Sequence, residues 1–202
     1  MEQPILTVMD LPDRLRLPLD FDAARLRSEA ELFSREDWIR HFVPQNYDGD
    51  WSVVPLRGKA GATHPVMMIY PDPTCTSFED TPFLAHCPYL REALRAFRCP
   101  LDAARLMRLG PGSLIKPHHD DDLRFENGVA RIHVPVVTNP DVVFMLNGAQ
   151  VVLEAGACWY LRLSDTHAVY NGGATDRIHL VIDARVNAWL EALFRRALAE
   201  AA

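Results

Sequence analysis

Eight short segments of strand character, crowded between residues 103 and 183, constrain this chain more than any other feature. They are ARLMRLG, SLIKPHH, RIHVPVVT, VVFMLNG, AQVVLEAG, CWYLRL, HAVYNGG and RIHLVID, with turn signals every eight to twelve residues or so. Asn147-Gly148 between two of them is the two-residue signature of a tight hairpin. Such a series is expected to close into a jelly roll, a cupin-like double-stranded β-helix, making the fold mainly β with flanking helices. Residues 21–33 set Ala23, Leu26, Ala30 and Phe33 at helical spacing behind Asp22, a good N-cap. Residues 87–97 read as a short helix entered through Pro88. Residues 186–200 read as an amphipathic helix with Trp189, Leu190, Leu193, Phe194 and Leu198 on one side. Segments 51–58 and 64–70 read as further strands, and 71–82 as a loop long enough to act as a lid.

A chain of 202 residues suits one domain with a substantial core. Residues 1–100 are expected to form a mixed α/β segment bracing the barrel. Residues 101–185 would be the jelly-roll core with the chemistry, and 186–202 a closing helix. The net charge of −6, with no cluster of Lys or Arg, argues against a nucleic-acid or anionic-membrane partner. No N-terminal stretch has the order of a signal peptide, and no apolar run is long enough for a membrane span. A cytoplasmic location is therefore expected. Cys75, Cys87, Cys99 and Cys158 are widely spaced and expected to be reduced; a zinc–thiolate site is not indicated.

The chemistry concentrates in PHHDDDLRF at 117–125 and in His167, forty-seven residues beyond Asp120. Residues i and i+2 of a strand share a face, so His118 and Asp120 can reach one metal, with His167 as a distant third ligand. Two imidazoles and one carboxylate suit a mononuclear Fe(II) site with open positions. His119 and Asp121 form an overlapping pair on the opposite face, and the alternation of apolar residues does not choose between the registers. Two strands carry Arg-x-His: Arg131 and His133 in RIHVPVV, Arg177 and His179 in RIHLVID. A buried guanidinium needs a carboxylate partner, and its planar fork matches one. Together the two strands would make a basic slot for a dicarboxylate. Asp120 or Asp183 could instead take up either arginine.

With RLGPGSLIKPHHD, RIHVPVVTNP and HAVYNGGATDRIHLVID in view, the chain resembles the aspartyl/asparaginyl β-hydroxylase family of Fe(II)/2-oxoglutarate-dependent dioxygenases, over roughly residues 38–187. That family places its first ligand directly after PGxxIxP, which implies His118, Asp120 and His167 as catalytic metal ligands. The resemblance implies Arg177, Arg131 and His133 as co-substrate residues. It implies Fe(II), 2-oxoglutarate and O2 as cofactors. Asp120 aligns the chain with the branch that keeps a complete triad, which includes hydroxylases of free amino acids such as proline. Met107 falls near a position where some relatives have a co-substrate-binding serine. The activity implied is hydroxylation of an unactivated C–H of an amino acid or peptidyl residue, with 2-oxoglutarate converted to succinate. Arg124, Trp51 and Arg57 are candidate substrate contacts; His41, Asn46, Trp51 and Arg57 precede the barrel in a segment able to close over its mouth. Two rivals use parts of the same pattern: a cupin-type metal enzyme without 2-oxoglutarate, and a non-enzymatic small-molecule-binding β-barrel.

Overall fold

The computed structural model describes residues 10–70, 74–120 and 123–201. Among them, numbering strands in chain order, one sheet runs β1 (Arg14–Asp20), β11 (Ala157–Leu161), β8 (Val129–Val137), β13 (Arg177–Arg185), β6 (Leu101–Leu109), β4 (Trp51–Lys59) and β2 (Ile39–Arg40). The short β5 (Phe78–Asp80) also pairs with β4. The second sheet runs β10 (Ala149–Val151), β9 (Val142–Leu146), β12 (His167–Asn171), β7 (Leu114–His118) and β3 (Tyr47–Asp48). Every pairing is antiparallel. The two sheets form the double-stranded β-helix expected of the strand-dense sequence.

Alternation along the larger sheet separates structure from chemistry. Val54 and Leu56 of β4, Leu106 of β6, Ile132 and Val134 of β8, and Leu180 and Ile182 of β13 join one apolar core, together with Leu26, Leu90 and Phe194 from the helices. Those helices are α1 (Ala23–Ala30), α3 (Pro88–Arg95) and α4 (Ala188–Ala201). The intervening residues Val53, Arg105, Met107, Arg131, His133, Arg177, Val181 and Asp183 line a cavity between the sheets. A second cluster closes that space with Leu109, Ile115, Phe144, Leu146 and Val169. Both faces of β13 are covered, which is why RIHLVIDA is buried throughout.

The helix signals hold. Asp22 Oδ1 accepts from the N–H groups of Ala24 and Arg25 at 3.0 and 3.1 Å, and α3 begins at Pro88. The Asn147-Gly148 turn takes φ values of 51° and 75° and returns β9 into β10. Segment 64–70 corrects the reading from sequence: Pro65–Ile69 is a helix, α2, not a strand. Both flanks of β4 are already taken, by β6 on one side and by β2 and β5 on the other, so no sheet edge remains for it. Pro65 at the first turn and two unbranched methionines favour the helix. The expected loop 71–82 contains β5, and its residues 71–73 lie outside the described residues. β1 was not anticipated, although RLRLPLD alternates strictly, with Leu15 and Leu17 buried. Pro18 is tolerated there because β1 is an edge strand whose register breaks between Leu17 and Asp20. Among the described residues no helix is long and apolar enough to cross a membrane.

Candidate active site

His118 closes β7 and His167 opens β12, and the two are direct partners across that antiparallel pair. Their ring centroids are 4.2 Å apart. Asp120 lies two residues beyond His118, its backbone N–H tied to Leu163 O at 2.8 Å. One ligand atom from each of His118, Asp120 and His167 falls within 4.8 Å of the others, close enough to share a metal ion. His119 has an exposed side chain, and Asp121 is outside the described residues.

The tautomers follow from the backbone. His118 Nδ1 lies 2.7 Å from Lys116 O, and His167 Nδ1 lies 3.0 Å from Asp165 O. A carbonyl can only accept, so each Nδ1 carries the proton and each Nε2 offers a lone pair, the state a metal requires. Burial pushes the His167 pKa down to about 4, which keeps the ring neutral. Asp120 Oδ1 stands 3.9 Å from His118 Nε2, while Oδ2 accepts from Arg131 Nη1 at 2.7 Å. Nitrogen and carboxylate donors without a thiolate fit Fe(II).

The three cavity arginines differ in their partners. Arg131 grips both oxygens of Asp183, through Nε at 2.7 Å and Nη2 at 3.0 Å. Burial opposes its charge, but Asp183 and Asp120 outweigh burial and raise its pKa. Arg105 was not singled out from sequence. It shares Asp183 through Nη1 at 3.0 Å, leaving its buried Nε without a partner. Its signal was present in AARLMRL, an arginine inside an apolar strand like Arg131 and Arg177. Arg177 is 3% exposed and, among the described residues, has no carboxylate beside it. Its Nη2 donates to His179 Nδ1 at 2.8 Å, and its guanidinium lies 5.8 Å from the Phe144 ring centroid. Its Nε is unpartnered, and burial lowers its pKa to about 9.

His133 Nδ1 lies 3.3 Å from the same His179 nitrogen; His133 lines the cavity, and its buried Nε2 has no partner among the described residues. Burial first, then Arg177, holds both imidazoles well below the ordinary histidine pKa. Trp51 lines the cavity under His41, ring on ring at 3.5 Å and 7°. Val43 N–H donates to His41 Nδ1 at 3.4 Å, so the neutral ring carries its proton on Nε2. Burial, followed by Arg105, lowers the His41 pKa to about 4. The cavity measures about 490 Å³. Arg57 and Arg124 do not line it. Arg57 spends its fork on Leu101 O, Asp80 and Phe78 O, and Arg124 reaches Ser164 Oγ at 3.4 Å.

The chain is 25% identical over 180 residues to an L-proline cis-4-hydroxylase of Rhizobium meliloti (strain 1021), covering 87% of this chain and 61% of that one. It therefore spans about three fifths of the length of that relative. A 2OG-Fe(II) oxygenase family oxidoreductase from Burkholderia pseudomallei shares the fold, with a TM-score of 0.52, 14% identity and coverage of 87% of this chain and 86% of that one. The aspartyl/asparaginyl β-hydroxylase family profile matches residues 20–186, from the end of β1 through β13. That span takes in the His118–Asp120–His167 cluster and all three arginine-bearing strands, and the chain belongs to the aspartyl/asparaginyl β-hydroxylase family.

Proposed function

We propose that this protein is an Fe(II)- and 2-oxoglutarate-dependent dioxygenase that hydroxylates an amino acid. The observation that carries the reading is Arg177, a buried cation without a carboxylate partner among the described residues, in the cavity that holds the His118–Asp120–His167 cluster. An uncompensated buried charge costs several kcal/mol, on the order of that lost when an ion pair is broken. A bound carboxylate would relieve that cost.

His118 Nε2, His167 Nε2 and Asp120 would hold the metal, which would supply oxidation by O2 coupled to decarboxylation of 2-oxoglutarate to succinate. Arg177 would take the distal carboxylate of the co-substrate through its free donors. Phe144, Leu163 and Val169 line the same cavity and would keep water from the bound co-substrate. Arg105 presents unspent donors to the cavity and would receive a substrate carboxylate. The neutral His41, stacked on Trp51, offers one further N–H at the wall.

Release of succinate from 2-oxoglutarate tests the reading, measured with Fe(II) and ascorbate across a panel of free amino acids and short peptides. L-Proline and its methyl ester belong on the panel because the ester removes the charge Arg105 would bind. Substrate-stimulated succinate with a hydroxylated product is the expected result. A panel in which nothing raises succinate above the background without substrate would contradict it.

A further inference from the structure

The two oxygens of Asp120 have different surroundings. Oδ1 faces His118 Nε2 at 3.9 Å, on the side of the histidine pair. Oδ2 is committed to Arg131 Nη1 at 2.7 Å. Asp120 stands beyond the end of β7, so the ladder that fixes His118 does not fix it. Among the described residues its N–H bonds Leu163 O, its carbonyl accepts from Leu123 N–H at 3.3 Å, and the guanidinium of Arg131 holds its side chain.

Arg131 is itself immobilised. Its Nε and Nη2 form a two-pronged contact with Asp183, its direct partner across β8 and β13. Asp183 is held in turn by Arg105 from β6, on the far side of β13. The side chains of Arg131, Asp183 and Arg105 are 12%, 8% and 8% exposed. Three central strands therefore contribute to a rigid strut that ends on one oxygen of Asp120. A guanidinium spent in this way is poorly placed to grip a co-substrate as well, the role that sequence resemblance implies for it.

We propose that Arg131, braced by Asp183, is a positioning residue for the metal-binding carboxylate: it holds Oδ2 so that Asp120 offers Oδ1 beside the two Nε2 lone pairs. This rests on the reading of His118, Asp120 and His167 as a metal centre. Partners of this kind fix the orientation of a ligand, and their removal typically lowers metal affinity by about 10–100-fold.

The test uses Co(II), which is stable in air, on the full chain. Affinity is read by competition with a chelator, coordination by the Co(II) absorption spectrum, and 2-oxoglutarate binding to metal-saturated protein by calorimetry. Arg131→Gln should weaken Co(II) binding about tenfold or more and change the spectrum. Arg177→Gln should leave the spectrum of the 2-oxoglutarate-free protein as in wild type and lose 2-oxoglutarate binding. Arg131→Lys keeps the buried charge, so Asp183 stays compensated. A single ammonium cannot span both carboxylates, so this variant should show the same defect in smaller measure, and it decides the matter if Arg131→Gln does not fold. Wild-type Co(II) affinity and spectrum in a folded Arg131 variant would overturn the proposal. Loss of 2-oxoglutarate binding alone in that variant would return Arg131 to the co-substrate. A wild-type protein that takes up no Co(II) would remove the functional reading itself, a result distinct from either.

Discussion

Arg177 and Arg131 begin with the same local sequence, Arg-Ile-His, and end in opposite electrostatic states. Arg131 is neutralised by Asp183 and Asp120, whereas Arg177 has, among the described residues, a neutral imidazole and a ring face and no carboxylate. Removing each charge should therefore act on stability with opposite sign. Arg177→Met should stabilise the metal-free protein by about 1–2 kcal/mol, because it removes an uncompensated buried charge while keeping side-chain volume. Arg131→Met should destabilise it by about 3 kcal/mol or more, because Asp120 loses its cation and Asp183 keeps only Arg105. Urea denaturation of both variants checks the pair; equal losses would contradict the assignment of Arg177 as a waiting anion site. The sequence made these residues visible as arginines among apolar neighbours, but their partners were not legible. Pairing across β8, β13 and β6 decides that Asp183 serves Arg131 and Arg105 and, among the described residues, leaves Arg177 without a carboxylate.

The elements that carry the site were legible wherever one periodicity dominated. The strands from β6 to β13 and the helices α1, α3 and α4 follow from alternation and caps, and Asn147-Gly148 from its turn chemistry. HPVMMIY misled because a short apolar run fits a strand or a helix equally well, and the crowded flanks of β4 decided for the helix. RLRLPLD alternates soundly, but its partner, β11, lies far along the chain, so its place in the sheet is set by the tertiary fold. Glycine places a test on that junction. Gly156, at φ 82°, precedes β11, and a Cβ there would collide with the carbonyl oxygen of Phe21. Gly61, at φ 73°, has open space. Gly61→Ala should cost about 1 kcal/mol from backbone strain alone, and Gly156→Ala about 3 kcal/mol or more from strain plus the clash. Denaturant midpoints of the two variants measure the difference; equal losses would mean that the junction between β1 and β11 yields freely.

Across the whole molecule, a chain of net charge −6 folds around a cavity whose inner wall is positive. Arg105, Arg131 and Arg177 exceed Asp120 and Asp183 by one charge, and a divalent ion would add to the excess, so the cavity favours anionic ligands. Its buried histidines also set the acid limit of the fold. His133 and His179 have depressed pKa values, and those of His167 and the half-buried His41 fall from 6.5 to about 4, in each case with burial as the leading cause. Between pH 6.5 and about 4 the unfolded chain binds protons that these rings refuse, so stability rises with pH across that window and is lost as pH falls. Each fully buried ring contributes a slope of about 1.4 kcal/mol per pH unit. The pKa of Asp183 is lowered instead, so its contribution is present above 3.8 and lost only in stronger acid. Urea denaturation of the metal-free protein at pH 7 and pH 5 should differ by something on the order of 2–6 kcal/mol. A flat profile over that interval would show that these rings are not held neutral.

On the proposed function, one cavity would hold both an iron site and a 2-oxo acid. Anaerobic addition of Fe(II) and then 2-oxoglutarate, followed by visible absorption, tests for both together. A charge-transfer band that requires both additions, and that weakens in Asp120→Ala and in Arg177→Ala, is the predicted result. A protein that binds Fe(II) and never develops the band would contradict the account.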